Sequence, residues 1–285
     1  MDMKSIALYG ASSFTGQAIV PAAVKSGLRV HAVGRTPIQV PPEFVGHVSQ
    51  SRLADDSTFT FTSYDKSADV AVHLIAPKGI LDGASARDVV NAGMASLISL
   101  FEAAVSGSYR RVIYTGSYWQ YGEAGDKVAA TTLYSALKNA ADEIALFYAH
   151  RIDVINLILF DSYGPNDPRQ KILSLVDEAA QSGKPLDMTE GQQYLWPIYS
   201  GDLAEAFLAA ASLDSKIGLR RFWIPGPERL TLRQMIETYC RSRKLTVDIH
   251  WGARAYPCHT SNPFVGVRVP NWRAKVTFDR GIEFL

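Results

Sequence analysis

Tyr134 and Lys138 stand four residues apart inside Thr132–His150, a stretch whose apolar spacing predicts a long helix. Four residues make about one turn, so the phenol and the amine share a helical face. A phenol of ordinary pKa, near ~10, exchanges protons poorly at neutral pH. A neighbouring ammonium stabilises the phenolate and makes proton transfer to or from a carbonyl or hydroxyl oxygen feasible. Ser117 follows the strand-like run Arg111–Thr115. Its hydroxyl falls at the C-terminal end of a parallel strand, the edge at which open α/β sheets bind ligands, and can bond the same oxygen. Taken alone, Tyr134 and Lys138 fit a solvated helix surface as readily as a proton-transfer pair, so the surrounding elements must decide.

A second constellation lies near the N-terminus. Gly10-Ala-Ser-Ser-Phe-Thr-Gly16 separates an apolar strand, Ser5–Tyr9, from a helix candidate, Gln17–Ser26. Strand, glycine turn and helix together make the place where a dinucleotide pyrophosphate rests on backbone N–H groups and a helix N-terminus. Gly10 permits the tight turn and Gly16 the close packing. Ser12, Ser13, Phe14 and Thr15 complete the loop, with Ser13 where such loops carry their middle glycine. An ordinary βα turn is the alternative reading. The next strand, Leu28–Val33, ends in Gly34-Arg35 and has no carboxylate. NAD sites use an acidic residue there for the ribose, whereas a guanidinium pairs with a 2′-phosphate. Arg35 therefore points to NADP(H), the alternative being a solvated surface arginine.

These residues need elements to hold them, and the chain supplies an alternation of strand-like and helix-like segments. Val70–Ile75, Arg111–Thr115 and Asp153–Phe160 read as further strands, and Ala86–Ser106 as a helix. Such alternation implies βαβ units and a mostly parallel sheet covered on both faces. The pattern changes at Tyr163-Gly-Pro-Asn-Asp-Pro168. Beyond it, Lys171–Ser182, Asp202–Ser212 and Leu232–Arg241 read as helices, the second with Gly201 or Asp202 near its N-cap. We expect a first domain over 1–160 and a smaller lobe over 161–285, with Ile198–Ser212 returning to the first.

Composition bounds the partners. The 285 residues are 47% hydrophobic and 20% charged, a globular balance rather than a disordered one. Lys and Arg number 29 against 28 Asp and Glu, so no global basic field draws nucleic acid or an anionic membrane. No apolar run approaches the ~18 residues of a membrane span, and no leader pattern opens the chain; a soluble, cytoplasmic protein is expected. Cys240 and Cys258 read as packing residues, and the histidines show no metal-ligand spacing. Asp55-Asp56 and Asp142-Glu143 read as solvated acidic pairs, and no Gly-x-Ser-x-Gly elbow is present.

Together these motifs resemble the extended short-chain dehydrogenase/reductase family, the NAD(P)-dependent epimerase/dehydratase group. The resemblance covers nearly the whole chain. Gly10–Gly16 is similar to the cofactor loop, and Val72-His-Leu-Ile-Ala76 to the fourth-strand motif, followed by Lys78. Asn91 falls at the helix asparagine. Val112–Gly122 matches the Ser/Thr strand ending in Tyr-Gly, Tyr134 and Lys138 the Tyr-x-x-x-Lys pair, and Phe160-Asp-Ser-Tyr-Gly-Pro165 the segment opening the substrate lobe. The resemblance implies an α/β, Rossmann-like doubly wound parallel sheet with a C-terminal substrate lobe. It implies Ser117, Tyr134 and Lys138 as the catalytic set. Leu74, Ile75, Ala76, Lys78, Asn91, Thr115 and Phe160 join the glycine loop and Arg35 around the cofactor. Ser117, Tyr118, Asp161, Tyr194, Arg233 and Arg254 would meet a nucleotide-sugar substrate. It also implies a homodimer built on Met94–Ser106 and Thr132–His150.

Within the family, the stretches Tyr163–Lys171, Gly183–Asp187 and Glu190–Gln193 look most like the reductases that make CDP-linked 3,6-dideoxyhexoses. Dehydratases carry a carboxylate pair after the Ser/Thr, but Tyr118-Trp119 stands here. The implied reaction is NADPH-dependent reduction of a 4-keto-6-deoxy sugar nucleotide. An NAD-retaining 4-epimerase and a non-catalytic nucleotide sensor are the alternatives. Four departures fall in the sugar and diphosphate region: Ile158 replaces the family's arginine, Asp161 its asparagine and Trp196 an acidic position, and Pro257-Cys258 follows Arg254-Ala-Tyr256 where an arginine is expected.

Overall fold

The computed structural model describes residues 3–52, 68–75, 90–121, 129–256 and 266–285. Its centre is a seven-stranded sheet of β1 (Ser5–Tyr9), β2 (Arg29–Gly34), β3 (Val48–Arg52), β4 (Val70–His73), β5 (Arg111–Ser117), β6 (Asp153–Leu159) and β11 (Gly218–Ile224). The order is β11-β6-β5-β4-β1-β2-β3, and every pairing is parallel. The order runs outward from β1 in both directions, the doubly wound arrangement expected from the βαβ alternation.

Strand alternation builds two cores from one sheet. Ile6 and Leu8 of β1 face one side, with Ile113 and Ile155. Ala7 and Tyr9 face the other, with Val112, Tyr114 and Val154. Helix α1 (Phe14–Lys25) covers the first side. Helices α2 (Ser96–Val105) and α3 (Leu133–Tyr148) cover the second, α2 being entered through a single π turn at Asn91–Ala95. Thr132 caps α3 by accepting from the Ser135 N–H at 3.1 Å, so the helix starts at Leu133, one residue before Tyr134.

The chain returns to the sheet twice after Phe160. Helix α5 (Ser200–Ser212) packs on α1, and β11 pairs with β6. The β11 return was hidden in the sequence because Arg220 and Arg221 interrupt its apolar run; both arginines are used in ion pairs with Asp153 and Asp142. Helix α5 begins at Ser200, earlier than the N-cap expected at Gly201 or Asp202. Asp202 instead lies in the first turn and accepts from the N–H groups of Lys275 and Val276 at 2.7 and 2.8 Å, tying down the C-terminal segment.

The other segments form the smaller lobe. Helices α4 (Ile172–Ser182), α6 (Leu232–Arg243) and α7 (Phe278–Ile282) pack around Val176, Met235, Ile236, Tyr239 and Phe278. Three two-stranded pairs frame them: β7 (Ser162–Tyr163) with β10 (Ile198–Tyr199), β9 (Tyr194–Leu195) with β12 (Leu230–Thr231), and β8 (Leu186–Met188) with β13 (Ile249–Trp251).

One buried ion pair locks β5 to β6 and both to the turn after α5. Arg111 (0% exposed) donates through Nε and Nη2 to Asp153 at 2.9 and 2.7 Å. It also donates to the carbonyls of Ala210, Ala211, Leu213 and Asp214. Breaking such a pair leaves an uncompensated buried charge, at a cost of about 3–5 kcal/mol. Arg111→Ala should lose that much in denaturant unfolding, and a loss under about 1 kcal/mol would show that the pair does not lock the sheet.

Candidate active site

The C-terminal edge of the sheet carries both constellations. At the glycine turn, the Gly10 N–H donates to the Val33 carbonyl at 2.8 Å, drawing the loop under the end of β2. Gly10 has φ +93°, and a Cβ there would come within 2.9 Å of the Leu74 backbone; at Gly16 it would come within 2.4 Å of the Ala11 carbonyl oxygen. A side chain at either position would collide with that backbone, so only glycine lets the turn close this tightly at the helix N-terminus, where a phosphate is favoured. Ser13 caps α1 by accepting from the Gly16 N–H at 3.1 Å. Ser12 and Thr15 line the partly open side, and Phe14 is buried. Arg35 follows β2 exposed and makes no hydrogen bond or ion pair with any described residue. Leu74 and Ile75 follow β4 beside the turn. Ala76 and Lys78 lie outside the described residues, as does the Asn91 side chain.

Helix α3 crosses the end of β5, and Lys138 makes the junction. Its ammonium donates to the Thr115 carbonyl at 2.7 Å and to Thr115 Oγ1 at 3.2 Å. Burial pulls the Lys138 pKa down to about 8, opposed by the Asp142 carboxylate. Its Nζ sits 5.6 Å from the centre of the Tyr134 ring. One turn back, the Tyr134 phenol lies near enough to the Ser117 hydroxyl for that hydroxyl to lower its pKa. Ser117 is itself fixed: its N–H donates to Gln120 Oε1 at 2.8 Å, and its hydroxyl accepts from the Trp119 N–H at 3.2 Å. Trp119 packs edge-on against the Tyr134 ring at 6.3 Å. The structure thus brings Ser117, Tyr134, Lys138 and Thr115 together.

The electrostatics differ from the expectation in one respect. Burial raises the Tyr134 pKa, and the forces opposing that rise are the Ser117 hydrogen bond and the charge of Arg169, not that of Lys138. Arg169 escaped the sequence reading. It comes from the turn-rich segment after β7, held by Asp167 through Nε and Nη2 at 2.6 Å each and by Ser162, and it lies 3.9 Å over the Phe14 ring. A second correction concerns Asp142. It is not solvated but 8% exposed, because it lies one turn beyond Lys138 on the inner face of α3. The spacing Tyr134, Lys138, Asp142 could have revealed it.

Tyr118 and Asp161 lie next to this set. The Tyr118 hydroxyl donates to Asp161 Oδ1 at 3.2 Å. Asp161 Oδ2 is shut off from solvent and accepts no hydrogen bond. Burial raises the Asp161 pKa against the nearby charges of Lys171 and Arg169. Phe160 stacks on Tyr118 at 5.3 Å and meets Trp223 at 5.7 Å, so it belongs to an aromatic cluster. Tyr194, Arg233 and Arg254 occupy another corner of the smaller lobe. Arg229 lies 3.6 Å over the Tyr194 ring; Arg233 lies 4.4 Å over Trp251 and donates to the Glu190 carbonyl; the Arg254 N–H donates to the Met188 carbonyl. No hydrogen bond, ion pair or ring contact links these three to Ser117, Tyr134 or Lys138. His73, at the end of β4, bonds the Ser96 hydroxyl at 2.7 Å, and burial with the Lys138 charge lowers its pKa to about 3, so it is neutral. Among the described residues no cluster of His, Cys, Asp and Glu could hold a metal ion, and no helix is long and apolar enough to cross a membrane.

Comparison with known proteins gives the same frame. The model of the NAD dependent epimerase/dehydratase family matches residues 6–220. CDP-abequose synthase of Yersinia pseudotuberculosis is 29% identical over 216 residues, 74% of each chain. Among solved structures, MoeE5 in complex with UDP-glucuronic acid and NAD superposes with a TM-score of 0.83 at 21% identity, covering 99% of this chain and 97% of that one. UDP-glucuronic acid 4-epimerase from Bacillus cereus, bound to UDP-glucuronic acid and NAD, gives 0.82 at 17% identity, covering 98% and 97%. With its parallel sheet, its glycine turn and the junction of α3 on β5, this chain belongs to the NAD-dependent epimerase/dehydratase family, the extended short-chain dehydrogenase/reductases.

Proposed function

We propose that the protein is an NADPH-dependent reductase of a 4-keto-6-deoxy sugar nucleotide. The observation that carries the reading is Lys138 anchored on Thr115 one turn from Tyr134 at the sheet edge, with Ser117 near enough to the phenol to lower its pKa and the glycine turn on the same edge. The likeness to CDP-abequose synthase supports the substrate class. Tyr118-Trp119 after Ser117 leaves no carboxylate there for water elimination.

The residues present fit a phosphorylated dinucleotide. The cradle at Gly10 and Gly16 would hold the pyrophosphate, and the unpaired Arg35 guanidinium would meet a 2′-phosphate. Thr115, Lys138 and Phe14 would border the nicotinamide end. When bound, NADPH supplies the hydride that reduces C4.

The chain's own residues do the rest. The Ser117 hydroxyl orients the substrate carbonyl. Tyr134, kept protonated by burial, gives its proton to the oxyanion that develops at O4. The Ser117 hydroxyl and the Arg169 charge, which already oppose the rise in the Tyr134 pKa, then stabilise the tyrosinate left behind. Asp161, with Oδ2 unpaired, faces sugar hydroxyls rather than the diphosphate, since two anions in one buried site repel. The exposed Leu133, Leu146 and Phe147 on α3 support a homodimer built on α2 and α3.

The runner-up is a 4-epimerase that retains NAD, the cofactor in the solved relatives of the fold. Purified protein carrying bound NAD and interconverting substrates without added cofactor would favour it. The direct test is NADPH oxidation against CDP-, dTDP-, GDP- and UDP-linked 4-keto-6-deoxy sugars, where turnover with at least one is expected. Tyr134→Phe should cut turnover about 10²–10⁴-fold while leaving NADPH binding intact; full activity would sink the mechanism. Arg35→Ala should weaken NADPH binding on the order of 10–100-fold in fluorescence titration and leave NADH unaffected. An unchanged NADPH preference would refute the role of Arg35.

A further inference from the structure

Lys138 poses a problem that its hydrogen bonds do not solve. Both acceptors, the Thr115 carbonyl and hydroxyl, are neutral. A buried ammonium held only by neutral groups tends to shed its proton. His73, on β4, adds no anion, being a neutral imidazole bonded to Ser96 of α2. Tyr134, on the same helix, is protonated. Among the described residues, the remaining charged group within reach is Asp142, one turn further along α3.

The Asp142 carboxylate is held through both of its oxygens. Its Oδ1 accepts from the Tyr114 hydroxyl of β5 and from Asn156 Nδ2 of β6. Its Oδ2 accepts from Arg221 Nε of β11 at 3.0 Å. Tyr121 feels its charge from the segment after β5. On α2, Glu102 is occupied by Tyr148, nearly two turns further along α3. Three donors from three strands therefore orient one carboxylate, and no proton transfer assigned above needs that carboxylate.

We propose that Asp142 is a positioning residue for the amine: its carboxylate, fixed by Tyr114, Asn156 and Arg221, holds Lys138 in its charged form against Thr115. Arg221 sets the strength of this effect by neutralising part of the carboxylate's field. Strand β11, contributed by the second half of the chain, thereby reaches the charge state of a residue at the sheet edge. The inference rests on the functional reading only in what the charged amine is for.

The sign is definite. Lys138 is charged below its pKa of about 8 and loses its charge as pH rises through that value. Asp142→Asn removes the anion and should move the Lys138 titration down by about one pH unit or more. Asp142→Glu should restore it in part. Arg221→Gln, which exposes the anion's field, should move it up. The test is a ¹³C-lysine NMR titration of the ligand-free protein, with the Lys138 signal assigned from Lys138→Arg and folding checked by circular dichroism. Opposite shifts in Asp142→Asn and Arg221→Gln support the proposal; a merely structural role would not reverse sign between them. An unshifted Lys138 in Asp142→Asn overturns it. If that variant fails to fold, an unshifted or lowered titration in Arg221→Gln overturns it equally. NMR shifts without a parallel move in the alkaline limb of turnover would support the assignment to Asp142 and count against the catalytic reading of Lys138.

Discussion

The Lys138 ammonium on the Thr115 carbonyl is the contact around which the candidate site is organised. It joins a helix to the last turn of a buried strand through a main-chain oxygen, which cannot be lost by mutating Thr115 alone. With that point fixed, helical geometry carries Tyr134 one turn back along α3, and strand geometry carries Ser117 two residues further along β5. The phenol and hydroxyl then meet. The cost is a charge taken out of water at the edge of an apolar sheet. The surroundings answer that cost with a neutral His73 and an oriented Asp142.

The smaller lobe is coupled to this point by charge as well as by packing. Arg169 leaves the chain just after β7, is held by Asp167 and Ser162, and covers Phe14 of the glycine turn. Its field reaches Tyr134 and Asp161. The segment after β7 therefore touches the glycine turn and lowers the Tyr134 pKa against the effect of burial. Asp161 lies just before β7 with one oxygen unpaired in a buried setting, a state that a ligand hydroxyl would relieve.

Much of this was legible in the amino-acid sequence because it is local. Glycine turns, apolar strands of four to seven residues and one-turn spacings are properties of short windows. The strand Ser5–Tyr9 and the helices expected over Gln17–Ser26 and Thr132–His150 declare themselves that way, although the first helix begins earlier, at Phe14. Strand β11 did not, because Arg220 and Arg221 break its apolar run, and only Asp153 and Asp142, distant in sequence, explain them. Asp142 was misread beside Glu143 for the same reason: burial depends on which face of α3 meets the sheet. Arg169 had no signal at all in a turn-rich stretch. The charge on Tyr134 was ascribed to Lys138 from spacing, whereas the field in the folded chain comes from Arg169 across the lobe boundary.

The central claim is net reduction at the sheet edge rather than reversible oxidation by a retained cofactor. It is tested most directly by following the label from NADPH deuterated at the transferable position into a 4-keto-6-deoxy sugar nucleotide. Mass spectrometry should find one deuterium at C4 of the product, with one NADP⁺ formed for each molecule reduced. Interconversion of 4-epimers with no label gained and no NADPH consumed would contradict the reductase reading and leave an epimerase in its place.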